Sequence, residues 1–399
     1  MTGPGPLRHA AFRWLLAART TSIVGNAVAP IALAFAVLDL TGSAADLGLV
    51  VAARSITNVA VLLFGGVLAD RLPRNLLLVG TSVAAALTQG GVAALVVTGS
   101  ATVPALVVLS ILNGAVAGVS LPASAALVPD TVPPEQLRPA NALLRLGLNA
   151  GTILGASAGG ILIAAVGPGW GLAVDAAAFA AAAVFFSRLR LPERAKVPRA
   201  SVIADLREGW REFTSRSWVW IVVLQFAVLN AAFTGAVAVL GPVVADQTVG
   251  RSAWGFVIGA QTLGFALGAV VALRWRPRRA LGIGVAAMAF AAVPVATRAA
   301  APVVAVLIIG FALGGFATEL FAIAWDQSLQ SHIPRDALSR VYSYDMVGSF
   351  VAVPLGEAVV GPVAHAVGTT PVLWTCAALI VLATLAAASI RSVWRVTAP

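Results

Sequence analysis

The feature that most limits what this chain can fold into is a succession of apolar runs, each about 20 residues long, covering nearly its whole length. A run of that length crosses a hydrocarbon core of about 30 Å as an α-helix. Lipid offers the backbone no hydrogen-bond partner, so a spanning segment must satisfy its own peptide groups. Charged residues make up 11% of the 399 residues and the mean hydropathy is +0.94. That is too little charge to cover a soluble domain of this size. The runs predict an all-α membrane protein with twelve transmembrane helices. Their positions are 12–38, 45–69, 75–97, 102–128, 140–166, 169–187, 218–245, 252–273, 279–297, 302–324, 340–366 and 370–390.

The net charge of +10 does not indicate nucleic acid, because the basic residues gather in short loops between runs. Arg8 and Arg13 precede the first span and predict a cytoplasmic N-terminus, so every even-numbered span exits to the inside. In that topology all but five of the 26 Lys and Arg residues are cytoplasmic. Arg251 and Arg298 fall in outside loops, and Arg19, Arg54 and Arg145 within spans. The expectation is a multi-pass protein of a bacterial cytoplasmic membrane, with both termini cytoplasmic and working as a monomer. The first run is too long for the apolar part of a signal peptide, so no cleaved leader is expected. Cys376 is the lone cysteine, and His9, His332 and His365 are scattered. No disulfide, metal site or cofactor is expected.

The longest polar stretch, 188–217, separates two halves, 1–187 and 218–399. Within it Val202, Leu206 and Trp210 recur at helical spacing among Arg207, Glu208, Arg211 and Glu212. This pattern is an amphipathic helix, lying either on the membrane surface or in water as a connector. The halves repeat each other at one offset. Pro133, Leu137, Gly147, Gly155, Gly160 and Gly167 align with Pro334, Leu338, Gly348, Gly356, Gly361 and Gly368, and Glu135 meets Asp336. Two parallel six-helix halves are a transporter architecture that holds substrate near the midplane.

Five stretches carry a resemblance to a known family. Gly66-Val67-Leu68-Ala69-Asp70-Arg71-Leu72-Pro73-Arg74-Asn75 follows the second span and resembles the signature loop of the major facilitator superfamily, with Pro73 in place of a glycine and Asn75 in place of a basic residue. In span five Gly147, Gly151, Gly155, Gly159 and Gly160 make a stripe similar to the antiporter motif of drug/proton exchangers, with Ala156 in place of the proline. The stripe leaves a groove for a close neighbouring helix, either a sliding interface between the halves or a static glycine zipper. Phe12 to Ser22, Leu127 to Pro133 and Ser339 to Asp345 look like the enterobactin-exporter and macrolide-efflux group. Two features depart from the pattern, the first from that of drug antiporters and the second from that of this group. Span four has Leu112-Asn113-Gly114 where an arginine commonly precedes the glycine, and span one has Gly25-Asn26 where an acid commonly follows it.

The resemblance implies alternating access and export of an amphipathic small molecule such as a drug, siderophore or secondary metabolite, with protons as the coupling ion. Import of a nutrient on the same fold, a transport-dead sensor or scaffold, and a membrane-embedded enzyme are the other readings. The enzyme lacks a catalytic cluster. Ionisable residues inside spans are costly and mark a cavity or an ion pair. They are Arg19, Arg54, Arg145, Asp175, Glu319, Asp345 and Glu357, with Arg19, Asp175 and Asp345 nearer span ends, within reach of headgroups or water. With Asn26, the candidates for coupling or for the cavity are Arg54, Glu319, Asp345 and Glu357. Arg54 and Glu357 lie at equal depth, so Arg54 either pairs with Glu357 across the halves or binds an anionic group of the substrate. Trp14, Trp170, Trp218, Trp220, Trp254, Trp275, Trp374 and Trp394 lie near span ends, as an aromatic belt would. Asp70 is expected to face the helix N-terminus of span eleven. Asp70→Asn should therefore slow transport while membrane insertion and expression stay unchanged, and wild-type rates would refute the assignment.

Overall fold

The computed structural model describes residues 5–71, 74–125, 127–189, 202–275 and 277–397. Twelve of its helices are long and apolar enough to cross a membrane, and no strand occurs among the described residues. In the first half the spans are Ala10–Thr41, Ala44–Arg71, Arg74–Val97, Val103–Ala125, Leu137–Val166 and Pro168–Ser187. In the second they are Ser217–Gln247, Arg251–Arg274, Ala280–Ala300, Val304–His332, a broken span eleven of Arg335–Phe350 and Val353–Val367, and Thr369–Ala388. Span ten runs a further two turns past its predicted end before Ile333 turns extended.

Prolines explain where spans depart from a regular helix. Pro has no N–H to donate and its ring displaces the carbonyl four residues back. Span seven widens to a π-helix at Gly235–Val239, just before Pro242, and span nine tightens to a 3-10 turn at Met288–Ala292, just before Pro294. Span eleven breaks ahead of Pro354. Gly167 and Gly368 turn the chain between the last two spans of each half at φ +92, a conformation that favours glycine.

The chain forms two compact units, Met1–Arg194 with Gly250–Gly259, and Ala195–Val249 with Ala260–Pro399. Within the first, spans two and four pack together, as do three and six, one and six, and one and five. The span-five stripe meets span one of its own half. A Cβ on Gly155 would lie 2.4 Å from the carbonyl oxygen of Val24 and 2.9 Å from the Ala27 methyl, and Gly147, Gly151 and Gly159 face Thr20, Ile23 and Val28. The expected interface between halves is therefore corrected for those four residues. A stripe of small residues attracts whichever backbone can approach closest, and that backbone is span one. Gly160, one residue out of register, instead faces Gly255.

The second unit repeats the device. Gly348 and Gly356 in span eleven face Val223 and the Ala231 carbonyl of span seven. A Cβ on Gly114 would strike the Arg54 carbonyl oxygen at 2.2 Å, and one on Gly315, its counterpart in the repeat, the Gln261 carbonyl oxygen at 2.1 Å. The internal repeat thus conserves helix contacts as well as residues.

The amphipathic segment is a helix, Val202–Ser215. It packs on the start of span eleven, where Trp210 and Phe213 lie against the Tyr344 ring and Arg340 bonds Glu208 at 3.2 Å. Its inner face is therefore covered by protein while Trp210 stays 54% exposed. The aromatic belt also needs correcting. Trp254 is 2% exposed, and Trp218 is 8% exposed and packed edge-on against Trp325, so both are core residues. Gly155→Leu and Gly356→Leu should each push two helices apart, destabilising the fold by about 1–3 kcal/mol as overpacking does. The measurement is the thermal midpoint of the detergent-purified protein, and unchanged midpoints would refute the packing assignment.

Candidate functional site

A cavity of about 400 Å³ lies inside the first unit, lined from all of its six spans. Phe186 of its lining also belongs to an apolar cluster with Phe12, Leu15, Leu78 and Leu127. Arg19 from span one and Arg54 from span two line the cavity together with the amides of Asn26, Asn58 and Asn113. Ser22, Thr81, Ser82 and Ser120 add hydroxyls, and Phe179 and Phe186 supply aromatic faces. Polar groups lining an otherwise apolar pocket of this size are the usual makeup of a small-molecule site.

The arginine of span two is held by a relay of hydrogen bonds. Arg54 Nε donates to Asn113 Oδ1 at 3.0 Å, Asn113 Nδ2 donates to Thr88 Oγ1 at 3.2 Å, and Thr88 Oγ1 donates to the Ala84 carbonyl at 3.0 Å. Flipping the Asn113 amide would break two of these bonds, so its orientation is fixed by its neighbours. Asn113 occupies the place before Gly114, where drug antiporters commonly carry an arginine. Here the guanidinium comes from span two and the asparagine orients it.

Asp175 was expected near water and is instead 0% exposed. Gln89 Nε2 donates to its Oδ2, and its Oδ1 lies 2.5 Å from where a Gly25 Cβ would sit. The acid missing after Gly25 in span one is thus supplied beside that glycine by span six. Asp175 lies seven residues past the start of its helix at Pro168, and the packing of spans one and three against span six seals it from water. The same correction holds for Arg298, assigned to an outside loop. It is 3% exposed within span nine, donating from Nη1 to the Ala236 carbonyl of the π segment at 2.7 Å and lying 5.5 Å over the Phe311 ring. Sequence reasoning missed both roles, because burial of either side chain depends on how its span is rotated within the bundle.

The other acidic candidates lie in the second unit. Glu357 is 2% exposed in span eleven of the second unit. Asp345 accepts from Trp325 Nε1 at 2.9 Å and from Ser349 Oγ at 3.1 Å. Glu319 packs beside Gly268 of span eight. Of the predicted residues only Asn26 and Arg54 line the first-unit cavity; Glu319, Asp345 and Glu357 do not. For the signature loop, span two ends at Arg71 and span three starts at Arg74. The side chains of Gly66, Asp70, Arg71 and Arg74 lie outside the described residues.

Twelve spans in two repeated six-helix units, the first of which holds a polar cavity, define a transporter of the major facilitator fold. The family described as transmembrane secretion effector matches residues 1–396, and the chain belongs to that family. It is 27% identical over 381 residues to the multidrug efflux pump Tap of Mycolicibacterium fortuitum, covering 89% of each chain. It is 29% identical over 264 residues to the enterobactin exporter EntS of Shigella boydii serotype 18, covering 66% of this chain and 63% of that one. The solved structure of the nucleoside transporter NupG superposes with a TM-score of 0.75 at 15% identity, covering 95% of this chain and 98% of that one. An inward-facing, unoccupied bacterial homolog of the human lysosomal transporter Spinster superposes with a TM-score of 0.74 at 15% identity over 98% of both chains. These two show the fold.

Gln89→Leu should leave the buried Asp175 carboxyl without its amide donor and destabilise the protein by about 1–3 kcal/mol. Gln89→Glu with Asp175→Asn, which exchanges the two chemistries, should recover part of that loss. Thermal melts of the purified variants test this, and a Gln89→Leu protein as stable as wild type would refute the pairing.

Proposed function

We propose that the chain is a secondary active exporter that carries amphipathic small molecules out across a bacterial cytoplasmic membrane by alternating access, driven by proton entry. The observation that carries the reading is the first-unit cavity, whose arginines, amides and phenyl rings suit a molecule with one polar and one apolar end. A sensor or scaffold has no need of a site that sets costly charged groups inside a membrane bundle. Direction is supported by the relatives, one named an efflux pump and the other an exporter.

Proton coupling is supported by two carboxyl groups of the second unit, one buried and one half-buried. Glu357 sits in the interrupted span eleven, three residues past Pro354. Asp345 lies before the break, held by Trp325 and Ser349. Intramembrane acids at such irregular helices serve proton relays.

Everted vesicles holding the full chain should accumulate labelled substrate when a proton gradient is imposed and lose it when the gradient is collapsed. Glu357→Gln should keep substrate exchange across the membrane while gradient-driven accumulation falls roughly tenfold, as loss of a relay acid predicts. Accumulation that ignores the gradient would overturn proton coupling, and absence of any exchange by the wild-type chain would overturn transport itself.

A further inference from the structure

We propose that the first-unit cavity binds an oxyanion, so that the molecules carried are amphipathic organic acids. The inference rests on the export reading and names its substrate class.

Two guanidinium groups line one cavity of about 400 Å³, and among its described lining residues there is no carboxylate. Arg19 is half-buried, and among the described residues its side chain has no hydrogen-bond or ion-pair partner. A guanidinium inside a membrane bundle needs an anion or a ring of acceptors. The walls offer Arg19 hydroxyls and amides, which also donate to a bound oxyanion. Arg54 is preoriented through Asn113 and Thr88, so less rotamer freedom is lost when an anion is gripped. Asp175, outside the lining, is turned to Gln89 and Gly25, and it lies within electrostatic reach of Arg54. It tempers the charge of the cavity without occupying it. Phe179 and Phe186 provide the apolar surface for the rest of the molecule. A cation would meet two like charges and no lining acid, so the same walls disfavour it.

The test uses two dyes with one ring system and opposite charge. Fluorescein carries a carboxylate and a phenolate, whereas rhodamine 123 carries an ester and a delocalised cation. Each is titrated by fluorescence anisotropy with the full chain in phosphatidylcholine nanodiscs. Fluorescein should bind at least about tenfold more tightly than rhodamine 123, and Arg19→Gln should weaken it about tenfold, as loss of a charge-assisted contact does. Arg54→Gln should do the same, and Arg19→Lys should retain part of the affinity. Because Arg19 supports no protein hydrogen bond with its side chain among the described residues, its substitution reads binding even where Arg54→Gln fails to fold. No saturable fluorescein binding, equal or tighter binding of the cation, or a fluorescein affinity unchanged by Arg19→Gln overturns the proposal. Displacement of fluorescein by added phosphatidylglycerol in wild type but not in Arg19→Gln overturns the substrate assignment as well, by making the oxyanion a lipid headgroup. Everted vesicles separate the two readings. Fluorescein bound but never transported sinks export and leaves the site standing, whereas rhodamine 123 transported in preference to fluorescein sinks the site and leaves export standing.

Discussion

A peptide group in hydrocarbon has no hydrogen-bond partner except its own chain, and much of this structure follows from where that rule is strained. Regular helices meet it without help. Where Pro242, Pro294 and Pro354 cannot donate, the chain adopts a π turn, a 3-10 turn and a break. Within the first of these the Ala236 carbonyl accepts a hydrogen bond from Arg298, a side chain supplied by span nine. A charged residue deep in the second unit is thereby explained by local geometry, with no substrate invoked.

Lipid tails are as apolar as leucine, so helices in a membrane gain from close approach more than from hiding surface. The glycines supply that approach. In both halves the fifth span of the six lies against the first, and the fourth lies against the second, through backbone contacts that no Cβ would tolerate. Each half is knitted by this pattern into a unit with its own interior. Gly147, Gly151, Gly155 and Gly159 of the span-five stripe thus pack the first bundle together by meeting its own span one.

Polar groups inside such a bundle must be answered by one another or by a ligand. Gln89 and Asp175 answer each other, and Arg54 is answered in part by Asn113. The lining of the cavity remains rich in donors and empty of carboxylates among its described residues. That imbalance links the fold to the proposed chemistry, because a donor-rich pocket walled by phenyl rings selects an acid with an apolar body.

The sequence by itself determined the membrane class, the twelve spans, the repeat of halves and the family likeness. Each depends on composition within about 20 residues or on matches along the chain, and both are local properties that a linear reading captures. It also singled out Arg54 and Asn26, since an arginine inside an apolar run is conspicuous wherever it points. Tertiary structure alone decided that the glycine stripe meets span one, that Asp175 and Arg298 are sealed from water, that Trp254 is core, and that Arg19 shares a cavity with Arg54. The physical reason is azimuth. A span that is apolar on every side has almost no polar face to show which way it turns, so depth is legible from position in the run whereas direction is not. Two residues at matched depth on different spans meet only if both helices rotate them inward, and the packing of all the neighbours sets that rotation.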